Sequence, residues 1–137
     1  MKNKRSLRIG VGTFLLLAVL YGVYANARAR SYEKARFLAF RAEDYRDRHG
    51  EWATNLVSLC ADAGISANQR DGFGHLLIFE PYSNTERCGR VISYGLGGNP
   101  GGRGIFGDIT VKYPLADWAT ENATSFYGRL FRQAAAP

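Results

Sequence analysis

The chain has 137 residues and a formal net charge of +6, and Lys2, Lys4, Arg5 and Arg8 supply +4 of it before any acidic residue appears. From Arg28 onward fourteen basic residues nearly balance twelve acidic ones, so the charge marks a basic N-terminal tag and argues against nucleic acid as a partner. The length permits one domain of about 110 residues and a small appendage.

In chain order, residues 1–8 form a basic end and residues 9–27, "IGVGTFLLLAVLYGVYANA", contain no charge. At 1.5 Å per residue this run spans roughly 28 Å as a helix, close to the hydrocarbon thickness of a bilayer. Leu15, Leu16, Leu17, Val19 and Leu20 are its apolar centre and the predicted membrane anchor. The four cations would stay on the cytoplasmic side with the rest of the chain outside, and Tyr21 and Tyr24 would sit near the outer interface. Ala25 and Ala27 also spell an A-x-A cleavage pattern. Whether the run is a retained anchor or a secretory signal, residues 28–137 are expected beyond the cytoplasmic membrane.

Residues 27–49 lack proline and glycine and are rich in helix formers. Tyr32, Ala35, Leu38, Ala42, Tyr45 and His49 recur at three- and four-residue steps, with Phe37 and Phe40 broadening the apolar side. That periodicity predicts an amphipathic helix stopped by Gly50. One helix over about residues 9–48 would be half greasy rod and half scaffold. Trp52 follows as an anchor after the turn. Thr54 is the expected cap of a short helix bearing Leu56, Val57 and Leu59 and ended by Gly64. Residues 66–74 read as a polar link closing in the turn "DGFG". Strands are expected at residues 75–79, 89–95 and 108–114, with residues 81–86 as a connection. Three short strands make a small antiparallel sheet whose apolar face needs the helix. The predicted class is α+β, a long N-terminal helix packed on that sheet. Phe126, Tyr127, Leu130 and Phe131 suggest one side of a final short helix.

Cys60 and Cys88 are the two cysteines. In an oxidising compartment they can close one bridge worth about 3–4 kcal/mol, or remain unpaired thiols. His49 and His75 are the only histidines, and G-x-S-x-G, H-E-x-x-H and C-x-x-C are absent. Glu43 and Asp44 are adjacent on a helix and point apart. A non-enzymatic protein is expected. Seven glycines fall between Gly95 and Gly107, without the G-K-[ST] of a phosphate loop. Ser93, Asn99, Asp108 and carbonyls such as that of Tyr94 are oxygen donors suited to a hard cation, although calcium wants six to eight oxygens and only one carboxylate is here.

From Arg70-Asp71-Gly72-Phe73-Gly74-His75 through "VISYGLGGNPGGRGIFGDI" the chain resembles the major, G-type pseudopilins of type II secretion systems. The family's turn before a strand, its S-Y-G strand end, its P-G-G-type loop and its closing D-I correspond to Asp71-Gly72-Phe73-Gly74, Ser93-Tyr94-Gly95, Pro100-Gly101-Gly102 and Asp108-Ile109. His49-Gly50-Glu51-Trp52-Ala53-Thr54 stands where the family leaves its long helix. About 70 residues share the likeness. It implies a long helix carrying a small sheet, a calcium-stabilised loop using Tyr94, Asn99 and Asp108, and assembly with other pseudopilins at the bacterial inner membrane with the domain in the periplasm. The subunit's work would be mechanical. The chain departs from the family at Gly97, where an aspartate is usual, and at Arg103, where an acid is common. The run after Gly10 also has no glutamate before Glu33, so the family's processing signal is incomplete. A membrane-anchored or secreted accessory module with the same fold is the alternative.

Overall fold

The computed structural model describes residues 3–115, with side chains from residue 12 onward. One helix, α1 (Asn3–His49), runs through the basic end, the apolar stretch and the amphipathic segment without a break. Gly50 stops it as expected, its N–H bonding to the Arg46 carbonyl at 2.7 Å. Arg46, Arg48 and His49 in the last turn suit the negative end of the helix dipole. A short helix, α2 (Leu56–Asp62), follows. Its cap is Asn55 and not Thr54, because the Asn55 carboxamide oxygen accepts the Ser58 N–H at 2.8 Å.

Strands β1 (Ile78–Ser83), β2 (Cys88–Ser93) and β3 (Ile109–Tyr113) form an antiparallel sheet in the order β1-β2-β3. The fold is therefore α+β, a long helix with a three-stranded sheet against its C-terminal half. The first strand starts later than its sequence suggested and runs through Pro81. β1 is an edge strand, and its pairing with β2 is irregular between Glu80 and Ser83. A residue without an N–H is tolerated at such an edge and bulge.

The core sits between α1 and the sheet. Ala35, Leu38, Ala39 and Ala42 from the helix meet Leu77, Val91, Val111 and Tyr113 from the sheet side, with Leu59 and Cys60 of α2 beside them. Three of the four helical residues are alanines, so the sheet lies close to the helix backbone. Each fully buried large side chain here, such as Leu38, Val91 or Val111, contributes about 1.5–3 kcal/mol by burial. Trp52 stacks on Tyr82 at 4.7 Å between ring centres, and Phe79 on Tyr113 at 5.7 Å. Phe37 and Phe40 do not broaden the buried side as expected; they are 42% and 55% exposed, and His49 is exposed as well. The alanine stripe leaves no room beneath the sheet for them.

Below the domain, residues 12–23 are exposed all round, Leu15, Leu16 and Leu17 at 59% each. Among the described residues no helix is long and apolar enough to cross a membrane, and the run at residues 9–27 begins among residues whose side chains are outside the description. Cys60 is buried and Cys88 half-exposed, both as free thiols, so the bridge that the sequence allows is not formed here. Cys60 faces the core from α2, and its burial pushes the thiol pKa up, which keeps it protonated. Residues 126–131, expected to form a last helix, lie outside the described residues.

Candidate functional site

The glycine loop joins β2 to β3 by two single 3-10 turns, Gly95–Gly97 and Gly104–Phe106. It folds back on itself so closely that only glycine fits at its crossing. A Cβ on Gly102 would lie 1.7 Å from the Phe106 carbonyl oxygen. The loop's own N–H groups close it: Gly98 bonds to the Gly95 carbonyl, Gly107 to that of Gly104, and Gly101 to Asp108 Oδ2 at 2.9 Å.

A collar of side chains ties this loop to the preceding turn and to α1. Asp71 is buried, and all its hydrogen-bonding capacity is directed inward. Its Oδ1 accepts the N–H groups of Phe73 and His75, both at 2.9 Å, and its Oδ2 accepts the Ser93 hydroxyl at 2.6 Å. Ser93 Oγ in turn accepts the Gly95 N–H at 3.2 Å. The His75 ring lies against Gly98, with Nδ1 3.0 Å from the Gly95 carbonyl oxygen, a hydrogen bond if Nδ1 carries the proton. On the helix, Ser31 accepts the Gly72 N–H at 2.9 Å while donating to the Ala27 carbonyl. Gly72 rides so close to α1 that a Cβ there would fall 1.9 Å from the Ala27 carbonyl oxygen. Arg28 donates to the Gly107 carbonyl at 3.3 Å and to the Tyr24 hydroxyl at 3.2 Å. Lys34 donates to the Arg70 carbonyl at 2.7 Å.

Ser93, His75 and Asp71 are gathered as letters of a hydrolytic triad, but they are wired differently. Ser93 is buried and gives its proton to the carboxylate. His75 Nδ1 is 3.9 Å from Asp71 Oδ2 and meets a backbone carbonyl instead. With no nucleophile bonded to the imidazole, this trio lacks the pairing that nucleophilic catalysis requires. Its geometry is that of a clamp.

The three residues expected to hold calcium occupy different settings. Tyr94 is half-buried and precedes the first 3-10 turn. Asn99 is exposed, and its Nδ2 donates to the Gly97 carbonyl at 3.3 Å. Asp108 is half-buried, and its Oδ1 is a buried oxygen with no hydrogen-bond partner. That oxygen is the observation that fits a cation. Against it, the Gly95 and Gly107 carbonyls are already taken by His75 and Arg28. No cluster of three or more His, Cys, Asp or Glu suited to a metal occurs among the described residues.

Ser31 and Arg28 were not singled out by sequence reasoning, nor was Asp71 as more than a turn residue. Ser31 carries a faint signal, a hydroxyl on the otherwise apolar stripe of the helix. The site and fold define a helix-mounted α+β domain with an internally braced glycine loop; no family model, no curated protein and no solved structure matches the chain.

Proposed function

We propose that the chain is a structural, pseudopilin-like subunit of a bacterial envelope assembly, of type II secretion or a related system, working by filament or complex formation and not by catalysis. The observation that carries this reading is the two-part helix: residues 12–23 are mostly apolar and exposed on every side, while residues 31–42 carry a small domain. A bare apolar rod is unfavourable in water and demands a cover, which a bilayer or neighbouring copies of the same helix supply. Lys2, Lys4, Arg5 and Arg8 orient the rod with its start in the cytoplasm and the domain in the periplasm. Phe37 and Phe40 add an apolar patch on the outer side of the helix, suited to a neighbouring subunit.

Calcium enters this reading through Asp108 Oδ1, with Tyr94 and Asn99 in the same loop. A bound ion would neutralise that buried oxygen and brace the loop. In detergent-solubilised full-length chain, a Tm that rises with calcium in wild type but not in Asp108→Asn supports the ion. A Tm indifferent to calcium removes it and leaves Arg28 and the loop's own bonds as the brace.

The assembly itself is tested in membranes with Phe40→Cys in a Cys88→Ser background. A covalent dimer is expected, since each chain carries one accessible thiol and Cys60 is buried. A chain that stays in the membrane but gives only monomer would favour the accessory-module alternative.

A further inference from the structure

The underside of the domain is apolar where it overhangs α1. Leu96 and Ile105, carried on the two 3-10 turns, are 45% and 54% exposed. With Phe73 they face Leu17, Leu20 and Tyr24 of the helix across an open groove of about 470 Å³, and no lining side chain is charged. Tyr24 and Phe73 meet at 5.9 Å between ring centres, so domain and rod touch at this level.

The helix acts as a ruler for the height of that groove. From Arg8, the last cation of the basic end, Leu17 is about 13 Å along the axis, Tyr24 about 24 Å and Arg28 about 30 Å. The hydrocarbon core of a bilayer is about 30 Å thick. With Arg8 in one headgroup layer, Arg28 and Arg30 reach the opposite one, Leu17 stands near the midplane, and Leu20 and Tyr24 stand in the far leaflet. Tilting the helix shortens the rise and sinks them deeper. Whatever packs beside these residues lies at the same depth.

We propose that the glycine loop dips into the far leaflet and that an acyl chain of a membrane lipid occupies the groove between Leu17, Leu20 and Tyr24 on one side and Phe73, Leu96 and Ile105 on the other. The inference rests on the membrane-anchor reading above. Two further features support it. Arg28, bonded to the hydroxyl of the groove residue Tyr24, and Arg30, which lines a neighbouring depression with the groove residues Val23 and Ala27, offer cations to lipid phosphates. Backbone entering hydrocarbon must satisfy its polar groups internally, and this loop bonds Gly95 and Gly107 carbonyls to side chains and Gly98, Gly101 and Gly107 N–H groups to itself. The glycines permit a compact turn that carries the side chains of Leu96 and Ile105 outward.

The test uses full-length chain in phosphatidylethanolamine–phosphatidylglycerol vesicles whose acyl chains carry bromine at mid-length, a contact quencher of tryptophan. Ile105→Trp and Leu96→Trp report on the groove, Leu16→Trp on the anchor and Phe40→Trp on the outer face, each read as the difference from the parent chain. Ile105 and Leu96 are partly exposed, so either tryptophan fits without repacking the core. Expected is quenching of about twofold or more at positions 16, 96 and 105, all within the hydrocarbon, and none at position 40. Quenching at 16 but at neither 96 nor 105 overturns the groove proposal and leaves the anchor standing. Blue-shifted but unquenched emission at 96 and 105 overturns it in favour of a second copy in the groove. No quenching at 16 removes the anchor and this inference with it.

Discussion

Residues 31–42 and residues 12–23 share one unbroken helix, yet they expose opposite surfaces. In the upper segment Ser31, Ala35, Leu38, Ala39 and Ala42 are buried, and the remaining faces carry charge and two outward phenylalanines. In the lower segment Phe14, Leu15, Leu16, Leu17, Val19 and Leu20 are all more than half exposed, and no side of the helix is favoured. The contrast separates two kinds of burial. A one-sided stripe with small residues is built to receive a sheet, whereas the all-round apolar surface below stays mostly uncovered by the fold. Because no loop separates the segments, the position of the lower one fixes the height and direction of the domain.

The comparison breaks most visibly under substitutions made in both segments. Leu38→Ala should destabilise the domain by about 2–5 kcal/mol, since it empties a fully buried site. Leu16→Ala should leave domain stability within about 0.5 kcal/mol. Thermal unfolding of the full chain in detergent, followed by near-UV circular dichroism, measures both. Glycine gives a second pair. Gly72→Ala forces a Cβ onto the Ala27 carbonyl and should cost about 3 kcal/mol by undocking the turn that holds Asp71. Gly22→Ala meets nothing within 4 Å and should be stabilising by up to about 1 kcal/mol through helix propensity.

Smaller effects sharpen how the sheet is held on the upper segment. The Tyr113 hydroxyl is buried and donates to the Glu80 carbonyl at 2.8 Å, and its burial raises its pKa well above the ordinary value near 10. The fold favours the neutral phenol, so this contribution is complete below pH about 10 and declines as pH rises above it. Tyr113→Phe should cost about 1 kcal/mol at neutral pH and flatten that alkaline loss. Asp62 of α2 bonds to His49 at 2.8 Å and to Arg48, and these contacts, that with His49 foremost, lower its pKa. A depressed carboxylate stabilises the fold above its ordinary value near 4 and loses that contribution as pH falls through its folded value. Asp62→Asn should therefore cost most at neutral pH and flatten the acid limb of an unfolding-against-pH curve, the difference from wild type closing as pH falls through the folded value.

The long helix, its stop at Gly50, and the alternation of Ile109, Val111 and Tyr113 were legible because they rest on local periodicity. So were the sheet's antiparallel sense and its place against the helix. Phe37 and Phe40 were misread because period alone does not say how close a sheet approaches; Ala35, Ala39 and Ala42 decide that, and they squeeze large rings to the margin. Pro81 looked like a connection because a proline is foreign to a central strand, but β1 is an edge. The collar was mostly hidden. Ser31 meets Gly72 across 41 residues, Arg28 meets Gly107 across 79, and Ser93 meets Asp71 across 22. Those pairings exist only once the sheet has docked, and no spacing along the chain announces them.

The central claim is that residues 9–27 hold the chain in a membrane. Alkaline carbonate extraction of membranes from cells expressing the full chain, compared for wild type and Leu16→Arg, tests it most directly. A buried arginine opposes insertion by about 2.5–3.5 kcal/mol at a span's centre. Wild type is expected in the pellet and Leu16→Arg in the soluble fraction. Wild type released by carbonate, or Leu16→Arg still wholly in the pellet, would contradict the account.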